Sequence, residues 1–118
     1  MLRRWRYPAV ISSARSACAR ASGIQATEDN LVFMVSKLPR GCTFNVAGIG
    51  RHQLPMAELG IRMGGHARCG LEDNIYLSKG VLAKGSFALV EQVAALARAA
   101  GRQVATPAEA RAILRIDA

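Results

Sequence analysis

Six consecutive residues, Arg68-Cys69-Gly70-Leu71-Glu72-Asp73, bring one guanidinium and two adjacent carboxylates into a very short stretch of chain. A cation there can hold an anion or polarise a carbonyl. One carboxylate can ligate a metal, and the other can take up a proton. On an extended backbone side chains alternate between faces, so His66, Arg68, Gly70 and Glu72 point one way and Ala67, Cys69 and Leu71 the other. If the extension persists to Glu72, Arg68 and Glu72 project into one space, and Asp73 approaches it from the turn that follows. The plainer reading of the same spacing is a solvated turn with a surface ion pair that contributes little.

The elements that must position these groups are legible from periodicity and punctuation. Thr27 is a plausible N-cap, Glu28 and Asp29 suit the positive end of a helix, and Leu31, Val32, Met34 and Val35 supply its apolar stripe up to Leu38, before Pro39. The run Cys42–Ala47 reads as a buried strand closed by Gly48 and Gly50. A second helix is expected over His52–Met63 with Pro55 in its first turn, and a second strand over His66–Gly70. After an irregular stretch containing Gly80 and Gly85, Ser86 is expected to cap the strongest helix, which Gly101 stops. Thr106-Pro107-Ala108-Glu109 has the form of a capping box before a short closing helix to about Arg115. Helix alternating with strand implies parallel strands joined by helical crossovers. Two such strands need neighbours, so the pattern reads as the tail of a larger α/β array. A whole (β/α)₈ barrel takes about 250 residues.

With 118 residues, 51% of them hydrophobic and only 5% aromatic, the chain suits one modest domain with an aliphatic core. Nothing approaches the roughly 18 apolar residues of a membrane span. Cys18, Cys42 and Cys69 are an odd number without paired spacing, which fits a reducing compartment and a cytoplasmic location. Of the net charge of +8, residues 1–22 hold +5 with no acid, leaving +3 for residues 23–118. A body so mildly basic argues against nucleic acid as a partner. The basic start, 1–22, is treated as a segment apart. It is compatible with a mitochondrial-type transit segment or with an unrelated leader joined by a misplaced start.

Three ordered blocks then carry a specific likeness: Val46-Ala47-Gly48-Ile49-Gly50-Arg51-His52-Gln53, Gly64-Gly65-His66-Ala67-Arg68-Cys69-Gly70-Leu71-Glu72-Asp73-Asn74, and Gly101–Arg111. From about Gly23 to the C-terminus the chain closely resembles the β-keto acid cleavage enzymes, also called 3-keto-5-aminohexanoate cleavage proteins, an activity of lysine fermentation. The resemblance implies an α/β fold in which residues 23–118 are the C-terminal fragment of a (β/α)₈ TIM barrel, about its last two strands and their helices. It implies a zinc-dependent acyltransferase that takes a β-keto acid and acetyl-CoA to acetoacetate and a new acyl-CoA. By match to the family motif, Glu72 is the zinc ligand, Arg68 polarises the keto acid and Asp73 is the general base. The family is usually oligomeric, so a second copy or a missing N-terminal half-barrel is the implied protein partner.

The same resemblance implies two further zinc-binding histidines in a His-x-His pair on an early strand, and this sequence has no His-x-His. A catalytic zinc generally takes three protein ligands. The expectation is that the chain alone neither holds zinc stoichiometrically nor turns over substrate. His52 and His66 are expected to make structural hydrogen bonds, and Cys69 to act as a buried hydrophobe. Gly48 and Gly50 belong to a turn allowing close approach of a ligand, since Gln53 breaks a G-x-G-x-x-G pattern. The rival to an enzyme fragment is a non-enzymatic remnant or a subunit-docking protein that joins barrel-like partners through exposed strand edges.

Overall fold

The computed structural model describes residues 9–13 and 24–116. The readings placed on Cys18 and on the rest of the basic start therefore lie mostly outside the described residues.

Local signals act where they stand in the sequence. The first helix, α1 (Glu28–Ser36), is capped by Thr27, whose hydroxyl accepts the Asn30 N–H at 3.3 Å, with Glu28 and Asp29 in its first turn. The closing helix, Pro107–Leu114, begins with a complete capping box between Thr106 and Glu109. Gly101 ends the long helix Ser86–Ala99 at φ 72°, a left-handed conformation that an L side chain rarely adopts.

The architecture is mixed α/β. A strand that the sequence reading did not expect, β1 (Ala9–Ser13), lies beside β2 (Phe44–Gly48), which lies beside β3 (His66–Arg68), and all three run parallel. The sheet thus has β2 at its centre instead of two strands alone. Short basic and hydroxyl residues around a brief apolar run hide such a strand, because its partner is some 35 positions away in sequence. Between β2 and β3 a 3₁₀ turn (Gly50–His52) leads into α2 (Gln53–Arg62).

Phe44 and Val46 pack with Leu31 of α1 and Met56 of α2 in the buried core. Alternation sends Asn45 and Ala47 to the other face, together with their register partners His66 and Arg68. Where α2 crosses the sheet Gly60 lies directly on Val46, leaving no space for a Cβ.

The stretch after Asn74 is ordered, contrary to its irregular reading. It forms an antiparallel hairpin of β4 (Tyr76–Ser78) and β5 (Val81–Leu82), turning at Gly80 with φ 79°. Strands this short carry too few alternating positions to register as a pattern. Two helices follow, α3 (Ser86–Ala99) and α4 (Pro107–Leu114). Leu89 is the buried residue of α3, and Arg102 beyond it donates to the carbonyls of Ile61, at 2.9 Å, and Gly65. That guanidinium ties the end of α2 to the start of β3. No helix of the described residues is long and apolar enough to cross a membrane.

Candidate functional site

β3 stops at Arg68, so the extension expected as far as Gly70 is absent. Arg68 and Glu72 consequently do not meet by strand alternation. They meet because the chain folds back: Gly70 C=O accepts from both Asp73 N–H and Asn74 N–H at 3.2 Å, closing a turn beyond the C-terminal end of a parallel strand. Catalytic groups in parallel α/β architectures gather at such strand ends.

The turn brings together the three residues expected from the sequence. Arg68 Nη2 is 3.2 Å from Glu72 Oε1, a hydrogen-bonded ion pair, and 3.4 Å from Asp73 Oδ2. The second contact is an ion pair without hydrogen-bond geometry, and Asp73 Oδ2 is buried without a hydrogen-bond partner. The two carboxylates differ in environment. The Asp73 side chain is 10% exposed and that of Glu72 56%. Glu72 is held below the usual carboxylate range, first by its own backbone N–H, which outweighs the opposing effect of burial, and further by the hydrogen bond and charge of Arg68.

Neighbouring elements hold the turn in place. Gly50, at φ 59° in the loop after β2, donates its N–H to Asp73 C=O at 2.6 Å. Gln53, fully buried at the start of α2, donates from Nε2 to Gly70 C=O at 3.0 Å. Leu71 N–H reaches Ser86 Oγ at 3.3 Å. Ser86 is therefore not the cap of α3: Gly85 occupies that position without a side-chain bond, and the hydroxyl serves the turn. Gln53 and Ser86 are the residues that sequence reasoning missed. Their one local signal is a polar side chain just inside a helix start.

A cavity of about 540 Å³ opens over the turn, lined by Arg51, His52, Glu72, Asp73, Asn74 and Tyr76 among others. His52 Nε2 accepts from Arg51 Nε at 3.3 Å, a structural bond of the expected kind. Arg68 borders a second cavity, of about 480 Å³, along the β3 edge with His66, Cys69 and Arg102. Burial pushes the Cys69 thiol up, and the Glu72 and Asp73 carboxylates push it further, so the reactive thiolate is disfavoured.

For a metal, the donor set falls short. Glu72 contributes one exposed carboxylate already engaged by Arg68, and among the described residues no three His, Cys, Asp or Glu side chains converge. A zinc centre needs more donors than this turn supplies. What the arrangement can do unaided is bind an anion or a polarised oxygen at Arg68 and exchange a proton at Asp73.

Residues 10–116 match the family model described as beta-keto acid cleavage enzyme. The match starts earlier than the Gly23 at which the sequence motifs begin to resemble the family, and it includes all but the first residue of β1. The chain is 55% identical over 94 residues to the 3-keto-5-aminohexanoate cleavage enzyme of Fusobacterium nucleatum, covering 78% of this chain and 35% of that protein. It is 52% identical over 83 residues to the 3-oxoadipate:acetyl-CoA acetyltransferase of Cupriavidus necator, covering 70% and 29%. A third relative, the 3-dehydrocarnitine:acetyl-CoA trimethylamine transferase of Rhizobium meliloti, is 35% identical over 83 residues, covering 70% and 27%. The chain thus spans about a third of the length of the curated relatives it matches.

Proposed function

The chain belongs to the β-keto acid cleavage enzymes, and from that premise we propose that its acidic turn is part of the active site of an acyltransferase acting on a β-keto acid and acetyl-CoA. In the net reaction the acyl part of the keto acid leaves on coenzyme A. Its carboxymethyl end joins the acetyl group as acetoacetate.

Within that site Arg68 binds the keto acid through a charge-assisted contact and polarises it, and Asp73 is the base. The observation that carries this reading is the Asp73 carboxylate: nearly buried, with one oxygen unbonded, 3.4 Å from a guanidinium at the end of a parallel strand. Burial of a carboxylate oxygen without a hydrogen-bond partner costs stability and is retained where the oxygen has another use. Glu72 is the chain's one contribution to a zinc centre whose remaining donors lie outside these residues, and no step is derived through that metal. The parallel sheet β1-β2-β3 supports three neighbouring staves of a (β/α)₈ barrel. Alone, the chain is inactive and holds no zinc tightly.

Co-expression with the part of the Fusobacterium relative that this chain does not match, about two-thirds of its length, tests the proposal. Acetyl-CoA with 3-keto-5-aminohexanoate or 3-oxoadipate should then give acetoacetate and a new acyl-CoA, and Asp73→Asn should abolish this. Full activity of the Asp73→Asn pair would refute the assignment. A reconstituted pair that binds but never turns over either substrate would favour a docking protein.

A further inference from the structure

Gln53 is the largest buried polar side chain of the described residues, with none of its surface exposed. Its Nε2 donates to Gly70 C=O across 17 positions of sequence, while its Oε1 is buried and finds no partner. As a piece of core it is a poor choice. Methionine has nearly the same shape, and would leave no orphaned acceptor. The one thing glutamine does here that an apolar residue cannot is grip the carbonyl on which the acidic turn is built.

Gly70 C=O is a hub that accepts from Gln53 Nε2, Asp73 N–H and Asn74 N–H. It also immediately precedes Leu71, so any rotation of the Gly70 peptide carries Glu72 and Asp73 with it. The Gly50–Asp73 bond secures the other end of the turn. Close approach of the Gln53 backbone to the strand end is itself built in, since a Cβ at Gly48 would strike His52 and Gln53.

We propose that Gln53 is the positioning residue of the acidic turn, its side-chain amide fixing the Gly70 carbonyl and thereby the angle at which Glu72 and Asp73 face Arg68. The inference rests on the preceding reading for the use of the turn, not for its geometry. Its test needs no turnover.

Amide hydrogen exchange is followed by NMR in the full chain as the parent and as Gln53→Met. The expected result is a melting midpoint at or above the parent's, with loss of protection at the Asp73 and Asn74 amides that donate to the Gly70 carbonyl, while the amides of β2 keep theirs. A merely structural role would leave the turn amides as protected as before, so unchanged exchange at Asp73 and Asn74 in a folded Gln53→Met chain overturns the proposal. If Gln53→Met does not fold, the parent decides. Gln53 side-chain amide protons that exchange as slowly as core backbone amides support the grip, and exchange at the free-amide rate refutes it. Lost protection at Asp73 and Asn74 alongside an inactive reconstituted enzyme would sink the functional reading and leave this one standing. The opposite pair of results would do the reverse.

Discussion

Arg68 and Glu72 are four residues apart and meet at 3.2 Å, although the strand carrying Arg68 ends at that residue. A turn closed on Gly70, not a continuous pleat, makes the pair. The geometry leaves little space: a Cβ at Gly70 would fall inside the Glu72 carboxylate.

Glu72 should titrate below the ordinary Glu value, because its own N–H and Arg68 both favour the ionised form. Replacing Arg68 by methionine should move the midpoint up only part of the way, since the N–H bond is unaffected. The linkage sign follows from a depressed folded-state pKa. The contribution of Glu72 to stability is complete above the unfolded value and disappears as pH falls through the folded one. Carboxyl-carbon chemical shifts against pH check both statements, and a midpoint indifferent to Arg68→Met would contradict the pairing.

In the reconstituted enzyme the two carboxylates should separate by function. Asp73→Asn should lower turnover by about 10²- to 10⁴-fold, the range for a positioned acid–base group, with metal content unchanged. Glu72→Gln should lower the metal content. The 118-residue chain alone, after dialysis, should retain no stoichiometric zinc by elemental analysis. Equal metal loss in both variants would remove the division of roles.

Gly60→Ala sets two effects against each other. Helix propensity favours alanine by about 1 kcal/mol in the interior of α2. The new methyl, however, meets the buried side chain of Val46, which is stiff and has no space to retreat into. Overpacking of about 1–3 kcal/mol should win. Denaturant unfolding should show a net loss, and a stabilised variant would mean that α2 can slide on the sheet.

The first turn of α4 should respond to acid. Glu109 is held below the ordinary range by the Thr106 N–H and hydroxyl, so its capping contribution is present at neutral pH and lost as pH falls through the depressed pKa. Thr106→Ala should cost that helix about 1 kcal/mol and weaken the pH response without removing it, since the backbone N–H that lowers Glu109 most is kept. Because α4 has no buried residue, exchange of the Ala110 amide is the measurement to make, not global melting.

What the sequence alone determined is what acts over a few residues: the Thr27 and Thr106 caps, the stop at Gly101, the helices that follow, and the identity of Arg68, Glu72 and Asp73 as the charged groups of one short segment. Each depends on contacts within one turn of chain, which spacing encodes directly. Only the tertiary structure decided how those groups meet. The end of β3 at Arg68 and the short hairpin at Tyr76–Leu82 left no periodic pattern to read, and the pairing of β1 with β2 and the ties from Gly50, Gln53 and Ser86 to the turn join distant positions. Such bonds are selected by which peptide groups remain unpaired once helices and sheet have packed, and that information belongs to the assembled core rather than to any local pattern.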